Sequence, residues 1–309
     1  MKVLATLVAL VFSSMVTATP LHNIVVFGDS LSDNGNLYEF MQHKIPISPP
    51  YFEGRFTNGP VWIERLAESY FPGEGAEHLL DYAFGGAGIS DEADDDALFT
   101  LKHEIDVYLL AHEDKADPQS LFVIWIGANN YLAAPGETDQ TVQDVNAGIR
   151  HGMERLAKMG AKHVLVLNLP DLGKTPIARE FEAEEQLTES TNRHNETLAN
   201  TVLSLEEKYP DVQWVYFDAN KVIRDVVAKP QDFGFNNVTD TCYDVIVDKP
   251  SQQAILKMAS PHQKTGRTLD DVCEGYMFFD PVHSTALAHQ LIADKVRAQL
   301  NTLGMKFSM

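Results

Sequence analysis

One run of six apolar residues limits what this chain can fold into. Residues 121–126 read LFVIWI and carry no polar side chain on either face of an extended segment. A strand of that composition must be covered on both sides, which is the situation of a central strand in a parallel sheet. The run therefore favours a sheet with helices packed on both of its faces.

The rest of the chain repeats this theme of short apolar runs separated by longer helical patterns. Strands are predicted at residues 24–27, 79–83, 121–126, 163–168 and 213–217. Helices are predicted at residues 60–70, 101–111, 138–159, 180–208 and 284–303. Strands that alternate with helices form a parallel sheet, because each helix returns the chain to the edge where the strand began. The expected class is α/β, a three-layer α/β/α arrangement with a central five-stranded, mainly parallel sheet.

The first 18 residues have the pattern of a cleaved export signal. One lysine precedes an apolar run over residues 3–16, and Val16-Thr17-Ala18 is a suitable end for signal peptidase. The alternative is a buried first helix, since the segment is too short for a good membrane span. We expect a signal peptide at residues 1–18, a secreted protein that crosses the periplasm in a bacterial host, and no transmembrane anchor. Residues 19–309 are then one domain.

The charge of the chain argues against several classes of binding partner. The chain has 24 basic and 44 acidic residues, a formal net charge of -20. Nucleic acids and anionic membranes both reward clustered Lys and Arg, so neither is expected as a partner. The acidic run at residues 91–96 lacks the glycine and final glutamate of a calcium-binding EF-hand loop and is interpreted as a solvated loop. We expect no metal site and no cofactor.

Ser30 follows the first predicted strand in a Gly-Asp-Ser turn. Such a turn places a hydroxyl at the carboxyl edge of the sheet, where the sites of α/β folds gather, although it could equally cap the next helix. A serine also needs an imidazole to take its proton and a carboxylate to orient that imidazole. Asp280 and His283, three residues apart before the last helical pattern, supply both groups.

Two further blocks lie between these ends. Gly86 belongs to DYAFGGA at residues 81–87, and Asn129 belongs to GANN at residues 127–130. Taken singly, each residue has an ordinary interpretation, as a turn glycine or a buried amide that satisfies backbone groups. As an ordered set with Ser30, Asp280 and His283, these blocks resemble the GDSL esterase/lipase family, also called SGNH hydrolases. The block GRFTNGPVWI at residues 54–63 adds to the likeness.

The resemblance implies a flavodoxin-like SGNH fold and a role for each residue. Ser30 is the implied nucleophile, His283 the general base, and Asp280 the group that orients His283. The implied oxyanion hole consists of the Ser30 and Gly86 backbone N–H groups and the Asn129 side-chain amide. Its neighbour Asn130, an aspartate in many relatives, is expected to matter much less to the chemistry.

The likeness is strongest to a secreted bacterial branch of lysophospholipases and lipid acyltransferases. It implies release of fatty acids from lysophospholipids or phospholipids, with acyl transfer to a lipid alcohol such as cholesterol as an added reaction. One alternative is a carbohydrate or aryl esterase that uses the same residues. Another is a non-catalytic secreted factor that binds lipid or a host cell. A long apolar acyl pocket would favour lipids, and a short or polar pocket would favour acetyl groups.

Export makes the two cysteines, Cys242 and Cys273, the expected partners of a disulfide, with two reduced thiols as the alternative. The bridge would bound an insertion at residues 242–273, within a weakly periodic segment at residues 232–278. Cys273 lies seven residues before Asp280, so this loop would be tethered beside the site. We expect either a lid that a secreted protease cuts to activate the enzyme or a plain structural staple.

Overall fold

The computed structural model describes residues 20–90, 99–135, 138–243 and 273–308. Its main sheet has five parallel strands in the order β2-β1-β3-β4-β5. The strands are β1 (Asn23–Gly28), β2 (Leu79–Asp81), β3 (Ser120–Trp125), β4 (His163–Leu167) and β5 (Gln213–Phe217). All six residues of β3 are buried, as its continuous apolar run requires. The five predicted strands are confirmed.

Nine α-helices lie within the described ranges. They are α1 (Asn36–Phe40), α2 (Trp62–Tyr70), α3 (Leu101–Ala111), α4 (Ala128–Ala133), α5 (Thr138–Met159), α6 (Pro176–Glu180), α7 (Glu184–Lys208), α8 (Ala219–Ala228) and α9 (Ala286–Thr302). Helices α3, α5 and α7 contact one another in sequence, and α2, α9 and α8 form a second contacting set. The sheet between these two sets makes the predicted three-layer α/β/α fold.

One helical prediction needs correction, and one long helix was not predicted. The pattern at residues 180–208 is not one helix, because α6 ends at Glu180 and α7 begins at Glu184. Between them Glu182 adopts a left-handed backbone with φ of 52°, which no α-helix continues through. The sequence also gave no prediction for α8, whose N-terminus is capped by the Asp218 side chain.

A second, smaller sheet ends just before Asp280 in the chain. It pairs β6 (Asn237–Thr241) with β7 (Tyr276–Phe278) in parallel. The predicted disulfide joins Cys242, directly after β6, to Cys273, three residues before β7. Residues 1–18, the acidic run at 91–96 and residues 244–272 lie outside the described residues. None of the described helices combines the length and the apolar character needed to cross a membrane.

Candidate active site

Ser30 sits in a tight turn at the carboxyl end of β1. Gly28 allows the turn by close approach, since a Cβ atom there would lie 2.5 Å from the Trp125 carbonyl oxygen of β3. The Asp29 carboxylate accepts the Leu31 N–H at 3.0 Å, and the Asp29 carbonyl accepts the Ser32 N–H at 2.9 Å. These bonds fix the turn and leave Ser30 at the edge of the sheet, as predicted.

The structure brings the three predicted groups together from opposite ends of the chain. Ser30 Oγ lies 2.8 Å from His283 Nε2, and His283 Nδ1 lies 2.7 Å from Asp280 Oδ2. All three residues are buried. A hydroxyl, an imidazole and a carboxylate in this order can generate a nucleophile, because the imidazole accepts the hydroxyl proton while the carboxylate stabilises the resulting charge.

Asp280 also builds the turn that carries His283. Its Oδ1 accepts the backbone N–H groups of Val282 and His283 at 2.8 and 2.7 Å. Its Oδ2, besides meeting His283, accepts the Tyr51 hydroxyl at 2.7 Å. Burial alone would raise the pKa of Asp280, but the His283 charge and the bonds from His283 and Tyr51 hold it below its ordinary value. Asp280 is therefore an ionised carboxylate with both oxygens in use.

The block at residues 54–63 supports the histidine loop. The Phe56 ring lies 5.1 Å from the His283 ring, centroid to centroid. Thr57 Oγ1 donates to the Ser284 carbonyl at 2.7 Å, and Asn58 Oδ1 accepts the Ala286 N–H at 2.8 Å, at the start of α9. The sequence marked this block without assigning it a role, and the structure shows that it positions the base.

The predicted oxyanion donors lie on three different segments. Gly86 adopts φ of 80°, a conformation that favours glycine. Within the described parts of the chain, neither the Ser30 N–H nor the Gly86 N–H has a protein acceptor. Asn129, at the start of α4 beyond β3, uses one amide hydrogen to bond the Ala87 carbonyl at 2.7 Å. That bond ties the amide to the Gly86 segment and leaves its second hydrogen for a ligand.

Two more side chains clamp the segment that contains Gly86. Asn130 accepts the Ile89 N–H at 2.9 Å and donates to the Ile89 carbonyl at 2.7 Å. Asp33 accepts the Gly85 N–H at 2.7 Å and also the N–H groups of residues 35–37. Sequence reasoning missed Asp33, although it falls three residues after Ser30, in the same block.

Three buried carboxyls and one partly buried carboxyl surround the serine turn. Burial raises the pKa of Asp29 and that of Asp33 to about 6, against the effect of the N–H groups that each accepts. Burial also raises the pKa of Asp81 and Glu104 well above their ordinary values. Glu104 Oε2 accepts the Gly28 N–H at 2.8 Å. This helix side chain therefore holds the last residue of β1, two positions before Ser30.

A narrow apolar cavity begins at Ser30, Asn129 and His283. The space inside the cavity and at its mouth amounts to about 910 Å³. The cavity runs between the carboxyl edge of the sheet and helices α4, α8 and α9. Its apolar wall includes Leu132, Leu172, Ile223, Val227, Met277 and Ile292. Gly86 is not part of this wall.

The other histidines do not compete for the role of base. His194 is buried with its Nδ1 at 2.9 Å from the Tyr131 hydroxyl, and burial lowers its pKa to about 3. His289 lies in the cavity wall, with its Nδ1 at 3.1 Å from the Trp62 backbone nitrogen. Across the described ranges, no group of three or more His, Cys, Asp or Glu side chains is arranged to hold a metal ion.

Serine, histidine and carboxylate at the carboxyl edge of a parallel sheet are the groups that a serine-dependent hydrolase requires. The chain belongs to the GDSL-like lipase/acylhydrolase family, whose model matches residues 24–296. The resemblance found in the sequence is thereby confirmed. Membership places the protein among the carboxylic ester hydrolases.

The chain is similar to three bacterial proteins across most of its own length. It is 32% identical to the phosphatidylcholine-sterol acyltransferase of Aeromonas hydrophila, over 93% of this chain and 92% of that protein. Identity is 28% with the secreted effector protein SseJ of Salmonella typhimurium and 26% with the thermolabile hemolysin of Vibrio parahaemolyticus. The aligned regions cover 87% and 92% of this chain but only 61% and 65% of those two proteins.

A solved structure shares this architecture. The carbohydrate acetylesterase Est24 from Sinorhizobium meliloti superposes with a TM-score of 0.51 over 91% of this chain and 99% of that one. Sequence identity in that comparison is 14%, so the likeness concerns the fold alone.

Proposed function

We propose that the protein is a secreted lysophospholipase or phospholipase A that releases fatty acids, with acyl transfer to a lipid alcohol as a second outcome. The observation that carries this proposal is the narrow apolar cavity that opens at Ser30. An extended acyl chain matches such a space, because it buries apolar surface along its whole length. A full-length relative named as a phosphatidylcholine-sterol acyltransferase supports the same substrate class.

In the proposed reaction, His283 takes the Ser30 proton while Ser30 Oγ attacks the ester carbonyl. Asp280 holds the His283 ring and stabilises its positive charge. The Ser30 and Gly86 N–H groups and the Asn129 amide stabilise the oxyanion that forms. His283 then protonates the departing alcohol. Water, or a lipid alcohol in its place, gives a proton to His283 and attacks the carbonyl of the acyl-enzyme. The bond to Ser30 Oγ then breaks, and His283 returns the proton to Ser30 as the free acid or the new ester leaves.

The test is fatty-acid release by the purified mature chain from lysophospholipids, phospholipids and acetylated sugars. We expect the long-chain lipids to be cleaved with far higher kcat/KM than the sugars. Ser30→Ala is the control, and its turnover should fall by at least about 10⁴-fold while the fold persists. Preference for the acetylated sugars would replace this proposal with a carbohydrate esterase. No hydrolysis of any ester would leave the non-catalytic binding factor.

A second proposal is that a secreted protease activates the enzyme by cutting the loop that the disulfide closes. The disulfide closes a loop whose residues 244–272 lie outside the described residues, and it anchors that loop next to β7, which leads to Asp280. Limited digestion, mapping of the cuts and assay of lipid hydrolysis before and after would test it. Activity that rises on cutting between Cys242 and Cys273 supports a lid, whereas flat or falling activity leaves a staple.

A further inference from the structure

His289 has no part in the reaction proposed above, yet it lies in the wall of the same cavity. It belongs to the first turn of α9 and is only 4% exposed. Ser30 and His283 line the same space. A buried polar side chain in a mainly apolar wall needs a hydrogen-bond partner at each of its polar atoms.

The first ring nitrogen of His289 has such a partner. Its Nδ1 lies 3.1 Å from the Trp62 backbone nitrogen, which can only donate. Nδ1 is therefore the acceptor of this bond, and the single proton of a neutral ring must reside on Nε2. Burial, helped by the charges of Arg65 and His283, lowers the pKa of His289 to about 3, so the ring stays neutral.

The second ring nitrogen has none. Within the described part of the chain, no acceptor bonds His289 Nε2. This nitrogen keeps some accessible surface. Glu104 Oε1 and His194 Nε2, in contrast, are fully enclosed and have no hydrogen-bond partner among the described residues. Its N–H therefore opens into the cavity. An apolar ligand that covered this donor would remove its water without replacing the hydrogen bond, which weakens binding.

We propose that the His289 Nε2–H donates a hydrogen bond to an acceptor oxygen of the bound ester other than its reacting carbonyl. His289 is then a specificity-determining residue, and the inference rests on the proposed ester hydrolysis at Ser30. The oxygen belongs either to the glycerol part of a lysophospholipid or to the acyl chain. Both sources offer the same chemistry, a neutral oxygen lone pair.

Two substrate pairs separate the sources. The first pair is lysophosphatidylcholine and its analogue without the free glycerol hydroxyl. The second is an aryl decanoate and a series in which an ether oxygen replaces one methylene at successive positions. The readout is the ratio of kcat/KM within a pair, from which the folded fraction of enzyme cancels. In one of the two pairs we expect the oxygen-bearing ester to be preferred by about fivefold to tenfold.

Two variants of His289 distinguish binding from anchoring. His289→Asn places an oxygen near the position of Nδ1 and so keeps the acceptor for Trp62, but it loses the donor at Nε2. The preference should fall close to unity. His289→Gln places an amide nitrogen near the position of Nε2 and should keep much of the preference. The reverse pattern would assign His289 only to anchoring Trp62.

Flat ratios for both pairs in the wild-type enzyme, with hydrolysis intact, would overturn this inference and leave the proposed function standing. Absence of hydrolysis for every ester would overturn the proposed function and the inference with it.

Discussion

Asn129 and Asn130 are adjacent in the chain but make different bonds. Asn129 is 3% exposed, lines the cavity and spends one amide hydrogen on Ala87. Asn130 uses both the oxygen and the nitrogen of its side-chain amide to bond the backbone of Ile89. Only Asn129 keeps a hydrogen for charge that develops during the reaction. The two residues should therefore fail in different ways when truncated.

We expect Asn129→Ala to lower kcat by about 100-fold to 1000-fold with little change in KM, because the lost donor acts on the transition state. Asn130→Ala should lower kcat much less and instead reduce the free energy of unfolding, by about 1–2 kcal/mol, since two hydrogen bonds are lost. Steady-state kinetics and urea unfolding of both variants measure this. A larger kcat loss for Asn130→Ala would mean that the wrong amide has been assigned.

Tyr51 offers a test of pH dependence. Its hydroxyl bonds the Asp280 carboxylate and helps to hold the pKa of Asp280 below its ordinary value. Tyr51→Phe removes that bond, so Asp280 becomes a stronger proton acceptor, and the hydrogen-bonded pair of Asp280 and His283 should take up its inactivating proton at a higher pH. We expect the acid limb of kcat/KM to move upward by about one pH unit or less.

The same change has a signed effect on stability. A carboxyl whose folded-state pKa is lowered stabilises the fold above its unfolded value, and this stability is lost as pH falls through the folded value. Tyr51→Phe should therefore destabilise the protein at neutral pH and less so in acid. Tyr243→Phe is the matched control, since Tyr243 packs against Tyr51 and Phe279 but has no hydrogen bond to Asp280. An equal shift for Tyr243→Phe would remove Tyr51 from this role.

At the residue scale, the sequence pointed to the groups that stand in a local block and missed the groups that only packing brings together. Ser30, Asp280 and His283 each stand in a recognisable block, and the structure places them in one hydrogen-bonded line. Tyr51 is bonded to Asp280 across 229 positions of the chain. A partner set by packing over that distance leaves no local pattern, so no spacing argument could have found it.

The break between α6 and α7 shows that a helix boundary set by a tertiary contact also leaves no local sequence pattern. Residues 180–184 read EFEAE and contain neither glycine nor proline, so periodicity continues through them. The structure fixes α6 separately, because the Ile177 N–H donates to the Pro281 carbonyl at 2.9 Å, inside the loop that joins Asp280 to His283. Such a tertiary contact overrides local helix preference. By contrast, β3 was predicted closely, because burial on both faces is written in its composition.

The disulfide supports the small sheet of β6 and β7, and its removal should affect both stability and turnover. The bridge joins residues 31 apart, a loop whose closure stabilises the fold by about 3–4 kcal/mol on the chain-entropy account. Because β7 leads directly to Asp280, we expect the double variant Cys242→Ser and Cys273→Ser to lose this stability and to show lower kcat. Urea unfolding and kinetics measure both effects.

Reductant provides the control for the disulfide variant. Added reductant should bring the wild-type protein to the behaviour of the double variant and leave the variant unchanged. Full stability and full turnover without the bridge would show that β6 and β7 do not depend on it.

At the scale of the whole molecule, carboxyl groups lie in the interior as well as on the surface. The net charge is -20, and three buried carboxyls and the partly buried Asp81 lie near the serine turn with raised pKa values. Asp29 and Asp33 keep their protons to about pH 6 when folded but release them near pH 4 when unfolded. In that interval the folded state binds more protons, so the free energy of unfolding falls as pH rises.

We therefore expect the protein to be more stable at pH 5 than at pH 7.5. Asp29 alone contributes about 1.4 kcal/mol to this difference, because only about one unit of its raised pKa lies above pH 5. Urea unfolding at the two pH values tests the expectation. Asp29→Asn should flatten the dependence, whereas Asp144→Asn, at an exposed position of α5, should leave it in place. Stability that rises steadily from pH 5 to 7.5 would contradict the assignment.

Trp125 can serve as an intrinsic fluorescent probe of the cavity. Its indole forms part of the cavity wall and lies edge-on to Trp62, with 5.5 Å between ring centroids. The third tryptophan, Trp214, lies on β5 at the edge of the sheet. A brominated fatty acid that enters the cavity should quench the Trp125 emission and spare that of Trp214. In the Ser30→Ala variant, tryptophan fluorescence would then follow acyl-chain entry directly, without any label on the protein, and Trp125→Phe should weaken the signal.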